Sequence, residues 1–265
     1  MHEIIHIFEH SIQDTLLILP AIFLIYLLLE YMEHIGVHLQ NYKKIGPVVG
    51  SLIGLLPECG TSIIASKFYC QRLISLGTLI AIFISSSDEA IILLLTQSYF
   101  NWKILLLLVL KFIFGVIVGL LIDRFYTKET LDFTPHPEEH EGSIFKHALE
   151  HTLTLITFVF VCQIVITGII EFIGEEQLSI LLNLHPSLQV FIASLVGLIP
   201  NCAGSIALAE VYLNGMLSFS ALFAGLCCSS GVGLLTLYRF HPSKKHCLKI
   251  TLFILVISIL AGMLL

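Results

Sequence analysis

One stretch of this sequence occurs twice, with the same breaks in its apolar pattern. Residues 51–62, SLIGLLPECGTS, return at 194–205 as SLVGLIPNCAGS, and the register holds at a constant offset of 143 residues as far as Ile91 and Leu234. Each copy sets Pro, a polar residue and Cys inside apolar sequence, where an interrupted helix leaves backbone groups that are costly in lipid unless they line a cavity. Duplicated halves with interrupted helices are typical of secondary transporters, whose substrate site lies where the two breaks meet.

The composition excludes an ordinary soluble domain. Hydrophobic residues make up 57% of the 265 positions and charged residues 12%, so the chain has too little polar surface to face water. We therefore expect a multi-pass protein of the cell (inner) membrane, surrounded by the lipid bilayer, with no nucleic-acid partner. The sequence is compatible with a homo-oligomer. The seven cysteines are odd in number and lie mostly in apolar segments, which argues against a disulfide framework.

The apolar segments fall into two length classes. Those long enough to cross a bilayer are 12–34, 73–96, 103–123, 148–173, 216–236 and 247–265. The shorter ones, 45–57, 61–71, 188–200 and 204–214, pair into two re-entrant hairpins that turn at Pro57-Glu58-Cys59 and Pro200-Asn201-Cys202. Three full crossings per repeat is an odd number, so the repeats are inverted. The predicted fold is all-α, with a first membrane repeat at 1–125, a loop at 126–144 and a second membrane repeat at 145–265.

The basic residues predict the orientation. They flank the first hairpin, occupy the central loop and surround the last turn: Lys43, Lys44, Lys67, Arg72, Arg124, Lys128, Lys146, Arg239, Lys244, Lys245 and Lys249. The second hairpin and its flanks carry no Lys or Arg, and Lys103 is an exception to the pattern. Because cytoplasmic loops are enriched in Lys and Arg, loop 124–147 is predicted to be cytoplasmic and both chain termini external.

Glu58 stands at the predicted tip of the first hairpin. A carboxylate buried there without a partner costs at least about 2.5 kcal/mol, so its presence indicates a functional site. The alternative is a cap for the half-helix that follows, since carboxylates interact well with helix N-termini. The matching residue, Asn201, caps without charge, which suggests capping in both halves and a charge specific to the first. Cys59 and Cys202 repeat beside them, and soft metal ligation is one interpretation of that repetition.

A second polar cluster interrupts the predicted span 73–96. Three serines are followed by Asp88 and Glu89 between purely aliphatic flanks, and such a run cannot face lipid. The counterpart, CCSSGVG at 227–233, keeps the small polar break and drops both acids. Helix packing through small residues explains the serines and glycines, but it leaves the two acids unexplained. Together with Glu58, these two acids give the predicted membrane domain an excess of negative charge, so we expect a cationic substrate.

Other polar residues are candidates for lining the pathway. Asp14 follows His10, and His151 follows His147, each at a spacing that places both side chains on one helix face. His10 and His147 fit solvated helix ends, whereas a lining role stays open for Asp14 and His151.

Secondary ligands are Glu30, His34, Ser87 and Ser230, although Glu30 also fits a cytoplasmic helix end. The histidines and acids of 132–147 fit a solvated acidic loop, with metal sensing as the alternative.

The paired GLLPECG and GLIPNCA motifs, the SSSDEA segment and the start at Asp14-Thr15-Leu16 resemble the bacterial and archaeal family of ten-helix heavy-metal exporters, whose members are labelled arsenic efflux proteins or manganese transporters. The resemblance covers almost the whole chain. It implies metal export from the cytoplasm, and ten helices result if each hairpin arm is scored as one. The family labels disagree about the ion.

The residues and the resemblance together predict a secondary-active exporter rather than an enzyme. Carboxylate, amide and hydroxyl groups favour a hard divalent ion such as manganese at Glu58, Asp88 and Asn201, with Asp14, Cys59, Cys202, Glu89 and His151 close by, whereas the paired cysteines favour zinc, cadmium or a trivalent arsenical. No phosphate-binding loop motif is present, so proton-coupled alternating access is expected, with no cofactor besides the transported ion. An anion carrier and a thiol-dependent membrane enzyme are the alternatives.

Overall fold

The computed structural model describes residues 45–56, 60–86, 89–97, 102–126, 186–200 and 202–265, with the single positions 149, 153, 157 and 161. For Glu89, Ile92, Thr96, Gln97, Cys202 and Ala203 it describes the backbone alone. The predicted spans 12–34 and 148–173 lie outside these ranges, apart from the four single positions in the second.

Each regular element in the described part of the chain is an α-helix. The helices are α1 (Gly46–Gly54), α2 (Gly60–Cys70), α3 (Leu76–Ser85), α4 (Glu89–Gln97), α5 (Trp102–Phe125), α6 (Pro186–Gly197), α7 (Cys202–Leu213), α8 (Phe219–Cys228), α9 (Val232–Phe240) and α10 (Lys244–Leu264). The helices α1 to α5 form the first half of the molecule, and α6 to α10 form the second half.

Three stretches of this part of the chain are long and apolar enough to cross a membrane: Trp102–Phe125, Phe219–Phe240 and Lys244–Leu264. They coincide with predicted spans. The predicted span 73–96 is present as α3 and α4 on either side of a break, and α8 and α9 are divided in the same way. The helices α1, α2, α6 and α7 coincide with the four predicted hairpin arms. The prediction of an all-helical membrane protein with several apolar helices is confirmed.

The outer faces of α5 and α10 are apolar stripes. Exposed large side chains recur at every fourth position, at Leu105, Val109, Ile113 and Ile117 on α5 and at Leu248, Leu252, Val256 and Leu260 on α10. A spacing of four residues keeps side chains on one helix face. Since an exposed stripe of this kind is unfavourable in water, these two faces are the surfaces expected to meet lipid.

The two halves repeat each other in local backbone geometry. Ser75 caps α3 by accepting a hydrogen bond from the Thr78 amide, and Ser218 caps α8 in the same way with the Ala221 amide. In the preceding turns, Arg72 has φ 61° and its equivalent Gly215 has φ 74°. A cap and a left-handed residue therefore recur at the same offset of 143 residues as the sequence motif.

Helix packing repeats as well. The first half contains the packed pairs α1–α3 and α3–α5, and the second half contains α6–α8 and α8–α10. Between the halves, α2 packs on α9, its counterpart α7 packs on α4, and α3 meets α8. When each helix is replaced by its counterpart in the other half, every one of these pairs becomes another observed pair, and the pair α3–α8 becomes itself. The same helix pairs are therefore packed in both halves.

Glycines allow the closest of these approaches. A Cβ on Gly54 would lie 2.8 Å from the Ile82 carbonyl oxygen, and a Cβ on the equivalent Gly197 would overlap the carbonyl of Gly225. Residue 225 is the equivalent of residue 82, so the same two positions touch in each half. Small residues at helix contacts let backbones approach closely, which is a common basis of packing in membranes.

Candidate functional site

The break between α8 and α9 lies in the interior. Ser229 and Ser230 are each 1% exposed, and Gly231 has φ 52° and ψ −146°. This backbone conformation is strained for residues with a side chain, so glycine fits it. The Ser230 hydroxyl has no hydrogen-bond partner among the described residues, and Gly231 supplies no side-chain cap to α9. The break therefore places a buried polar atom inside the helical domain.

The break between α3 and α4 follows the same plan. The first helix ends at Ser85, and Ser86 is its C-cap residue, 1% exposed, with φ −48° and ψ 126°. The next helix begins at Glu89. Ser86 and Ser229 are equivalent positions of the repeat, so the chain leaves its helix at the same point in each half.

A single ammonium group contacts both broken helices. Lys111 of α5 is 1% exposed, and its Nζ donates hydrogen bonds to the carbonyl oxygen of Ser86 and, over 2.9 Å, to that of Leu226. Ser86 caps α3 in the first half, whereas Leu226 lies in the last turn of α8 in the second half. Since helix C-termini carry partial negative charge, a cation is well placed there. Lys111 therefore holds the two breaks within reach of one another.

Lys111 is the functional candidate that sequence reasoning missed, because the segment 103–123 has the pattern of a plain apolar span. A signal for it is nevertheless present in the sequence, since a lysine inside an apolar span is rare and usually faces the interior of a bundle. The buried positions of α5 and α10 also match at an offset of 143 residues, as at Leu107 and Ile250 or Gly119 and Gly262. At this offset Lys111 corresponds to Ile254, which is buried at 0%, so this ammonium belongs to the first half.

The second arm of the first predicted hairpin, α2, packs against α9, the helix that follows the break in the second half. The Ser66 hydroxyl of α2 donates to the Gly233 carbonyl oxygen of α9 over 2.7 Å. A Cβ on Gly233 would lie 2.7 Å from the Cβ of Ser62. Since α2 begins at Gly60 and α9 at Val232, the segment after the first hairpin turn lies beside the segment after the second break.

Most predicted site residues lie outside the described residues: Glu58, Cys59, Asp88, Asn201, Asp14, His151, Glu30, His34 and Ser87. Glu89 begins α4 and Cys202 begins α7, each with its backbone alone described. Ser230 is described in full and is buried at the second break. Within the described ranges, no group of three or more His, Cys, Asp or Glu side chains could hold a metal ion. The ligand set therefore stays a prediction.

A family model described as "Putative, 10TM heavy-metal exporter" matches residues 10–177 and 144–265, which together reach from residue 10 to the last residue. The chain belongs to this family. No curated protein and no solved structure matches it. The resemblance stated from the sequence motifs is confirmed.

Membership of the exporter family implies a membrane protein that moves a metal ion rather than an enzyme. The broken helices and the buried Lys111 are then features of a transport protein, in which polar groups inside the bilayer mark ion pathways. The family description names heavy metals and does not specify the ion, the coupling or the direction of the chain in the membrane.

A second polar cluster of this exporter-family chain lies at one end of the helices. The Tyr69 hydroxyl is 2.8 Å from Nε2 of His246, and the rings of His241 and His246 stack with centroids 5.0 Å apart. His241 Nδ1 accepts a hydrogen bond from the Ser243 amide over 3.1 Å. Burial lowers the pKa of His241, and the nearby His246 and Lys244 lower it further, against a raising effect of the Ser243 backbone. His241 is therefore favoured as a neutral ring, and its stacking on Tyr69, with centroids 5.9 Å apart, joins the two halves.

Proposed function

We propose that this protein exports a divalent metal cation, with manganese favoured, through a site between the two broken helices. The observation that supports this most directly is that Lys111 hydrogen-bonds the carbonyls of Ser86 and Leu226, which belong to different halves. The breaks therefore lie beside one another. Asp88 follows Ser86 by two positions, so a ligand set that includes Asp88 and the buried Ser230 would converge at this point.

The balance of charge favours a divalent ion. Asp88 and Glu89 supply two carboxylates in sequence at the break after α3, Glu58 supplies a third at the predicted tip of the first hairpin, and Lys111 supplies one ammonium. If these four groups share the site in charged form, two negative charges remain, and a divalent cation neutralises them. Neutral trivalent arsenous acid would leave both charges buried without compensation, which is costly. Carboxylate, amide and hydroxyl oxygens also favour manganese over softer ions.

The second candidate is export of a soft metal or a trivalent arsenical. The observation that favours it is the repetition of Cys59 and Cys202 at equivalent positions, because thiolate is the preferred ligand of zinc, cadmium and arsenic in proteins. An anion carrier is disfavoured by the three acids Glu58, Asp88 and Glu89, even with Lys111 included.

The proposed mechanism is alternating access between two inverted halves. It is supported by the reciprocal packing of α2 on α9 and α7 on α4, which would let the halves rock about a shared axis. Protons are the proposed counter-ions, because carboxylate ligands lose protons on binding metal and regain them on release. The site residues are proposed to be Glu58, Asp88 and Asn201, with Asp14, Cys59, Cys202, Glu89 and His151 nearby.

The proposed orientation places loop 124–147 in the cytoplasm of the cell and both termini outside. It is supported by contacts that gather basic segments at one end. Lys67 Nζ lies 5.9 Å from the centre of the Phe240 ring, beside Arg239, and Tyr69 hydrogen-bonds His246. At the end of α5, Asp123 accepts a hydrogen bond from Ser75 in the turn that contains Arg72. Clustered Lys and Arg favour the cytoplasmic side.

Flux into proteoliposomes tests the proposal. Manganese, zinc, cadmium, iron and arsenite are offered in turn, with a proton gradient imposed in either direction. We expect manganese flux that the gradient accelerates and that Glu58→Gln and Asp88→Asn abolish. A loop variant, Glu138→Gln, is the matched control and should transport normally.

The cysteines separate the two candidates. A manganese site should tolerate Cys59→Ser and Cys202→Ser, whereas a zinc, cadmium or arsenite site should lose flux when either thiol is removed. Arsenite flux that depends on both thiols, with no manganese flux, would establish the second candidate.

A further inference from the structure

The Lys111 ammonium is bound by backbone carbonyl oxygens, and a free monovalent cation could bind to the same oxygens. Two of its hydrogen-bond acceptors are the C-cap carbonyl of α3 and a last-turn carbonyl of α8. In transporters with interrupted helices, unwound backbone carbonyls and half-helix C-termini coordinate the coupling sodium ion or proton. Lys111 therefore fills a position with the chemistry of a monovalent-cation site.

The surroundings favour a permanent occupant. The side chain is 1% exposed, and the groups beside it on α8 include the thiols of Cys227 and Cys228. A lysine ammonium is a compact point charge with three donors, so it suits carbonyl oxygens arranged around one position. In the other half Ile254 takes the equivalent place, so the arrangement is built once.

We propose that Lys111 is a tethered cation that occupies a monovalent-cation site formed by the Ser86 and Leu226 carbonyls and so links the broken helices of the two halves. The cation site itself rests on the described geometry. Its place in a transport cycle rests on the proposed function: with Lys111 present, the exporter needs no sodium ion at this position, and the halves separate only when the ammonium leaves one of the two carbonyls.

Replacing the tether by a free amine tests the proposal. Lys111→Ala removes the atoms of a propylammonium ion and leaves the two carbonyls in place. We expect its melting temperature in detergent to fall by roughly 5 °C or more, because two buried carbonyls lose their partner. Added n-propylammonium should restore at least half of the loss in a saturable manner. Tetramethylammonium at equal ionic strength, which has no N–H donor, should restore none, and the parent protein should respond to neither.

A loss of stability that neither amine restores, or that both restore equally, would overturn the tethered-cation site. If Lys111→Ala does not fold, Lys111→Met and Lys111→Arg decide the question. Arginine keeps the charge and the donors, so that variant should melt well above the methionine variant. A methionine variant as stable as the parent would show that the carbonyls need no cation.

Flux measurements distinguish the tethered-cation site from the proposed export of a divalent metal. Manganese flux through Lys111→Ala should be lost without amine and return with n-propylammonium. If the amine restores stability while the parent protein itself carries no metal, the cation site stands and the proposed function fails. If the parent carries manganese and the amine has no selective effect on the variant, the proposed function stands and the tethered-cation site is wrong.

Discussion

The Ser66 hydroxyl of α2 donates a hydrogen bond to the Gly233 carbonyl of α9 over 2.7 Å, and this bond joins the two halves of the chain. The equivalent interface on the other side of the molecule is formed by α7 and α4. The equivalent residues there are Ala209 and Ala90, so the hydroxyl bond is made on one side of the pseudo-symmetric pair. The two equivalent interfaces therefore differ in this polar contact.

Ser66→Ala should lower the free energy of unfolding by about 1–2 kcal/mol, because the buried Gly233 carbonyl loses a donor. Ser194→Ala is the matched control: Ser194 is equally buried, each hydroxyl also bonds the carbonyl four residues earlier in its own helix, and the side-chain contact of Ser194 with Cys228 stays within the second half. The two variants are compared by thermal melting in detergent. Equal melting temperatures for them would mean that the bond between the halves adds nothing.

Gly197→Ala should destabilise the protein by about 1–3 kcal/mol, since the new methyl group meets the carbonyl of Gly225 and the backbone must shift. The sign is diagnostic, because Gly→Ala inside an unobstructed helix stabilises by roughly 0.5–1 kcal/mol. Gly54→Ala, at the equivalent contact in the first half, should also lower the melting temperature. A rise in melting temperature for either variant would contradict the close packing of α6 on α8 or of α1 on α3.

Asp123 at the end of α5 caps the start of α3. Its carboxylate accepts hydrogen bonds from the Gly77 amide over 2.9 Å and from the Ser75 hydroxyl over 2.6 Å. We expect Asp123→Ala to lower stability by about 1–2 kcal/mol, because a charged acceptor at a helix N-terminus is lost. Asp123→Asn keeps an acceptor oxygen and should lie between that variant and the parent in a melting experiment. An alanine variant that melts with the parent would show that this cap adds no stability.

His241 makes stability depend on pH. Its pKa in the folded protein is lowered from 6.5 by burial, so the folded state binds fewer protons than the unfolded state and stability rises with pH. The contribution of His241 is present above pH 6.5 and is lost as the pH falls toward its lowered value. Its charged and titratable neighbours are His246, Lys244 and Tyr69.

His241→Asn keeps an acceptor for the Ser243 amide and removes the titration. The melting temperature of the parent should fall further than that of this variant when the pH is lowered from about 7.5 to about 5.5, a range that spans the ordinary histidine pKa. Identical pH profiles would assign the acid sensitivity to another group.

The helices and their breaks followed from local sequence, whereas the central contact did not. Pro, Ser and Gly interrupt the apolar runs at 57–59, 86–88 and 229–231, and interruptions of this kind can be recognised from the sequence alone. The acceptors of Lys111 lie at 86 and 226, in different halves, and the residues between them do not indicate that they meet. The repeat predicted shared geometry, but Ile254 in place of Lys111 breaks the symmetry, so the repeat could not supply the contact. The ligand set of Glu58, Asp88 and Asn201 stays a prediction from the motifs.

Glu58 at the predicted tip of the first hairpin and Asp88 at the break after α3 are proposed to bind a divalent cation. Calorimetric titration of manganese into the purified protein tests it most directly, with Glu58→Gln, Asp88→Asn and the loop control Glu138→Gln measured under the same conditions. Removing a ligand charge should weaken binding by at least about tenfold, while the isosteric amides keep the caps and the fold. We expect saturable binding to the parent and to Glu138→Gln, and little or none to the two site variants at an unchanged melting temperature. If Glu58→Gln and Asp88→Asn both bind manganese as tightly as the parent, the proposed cation site is wrong.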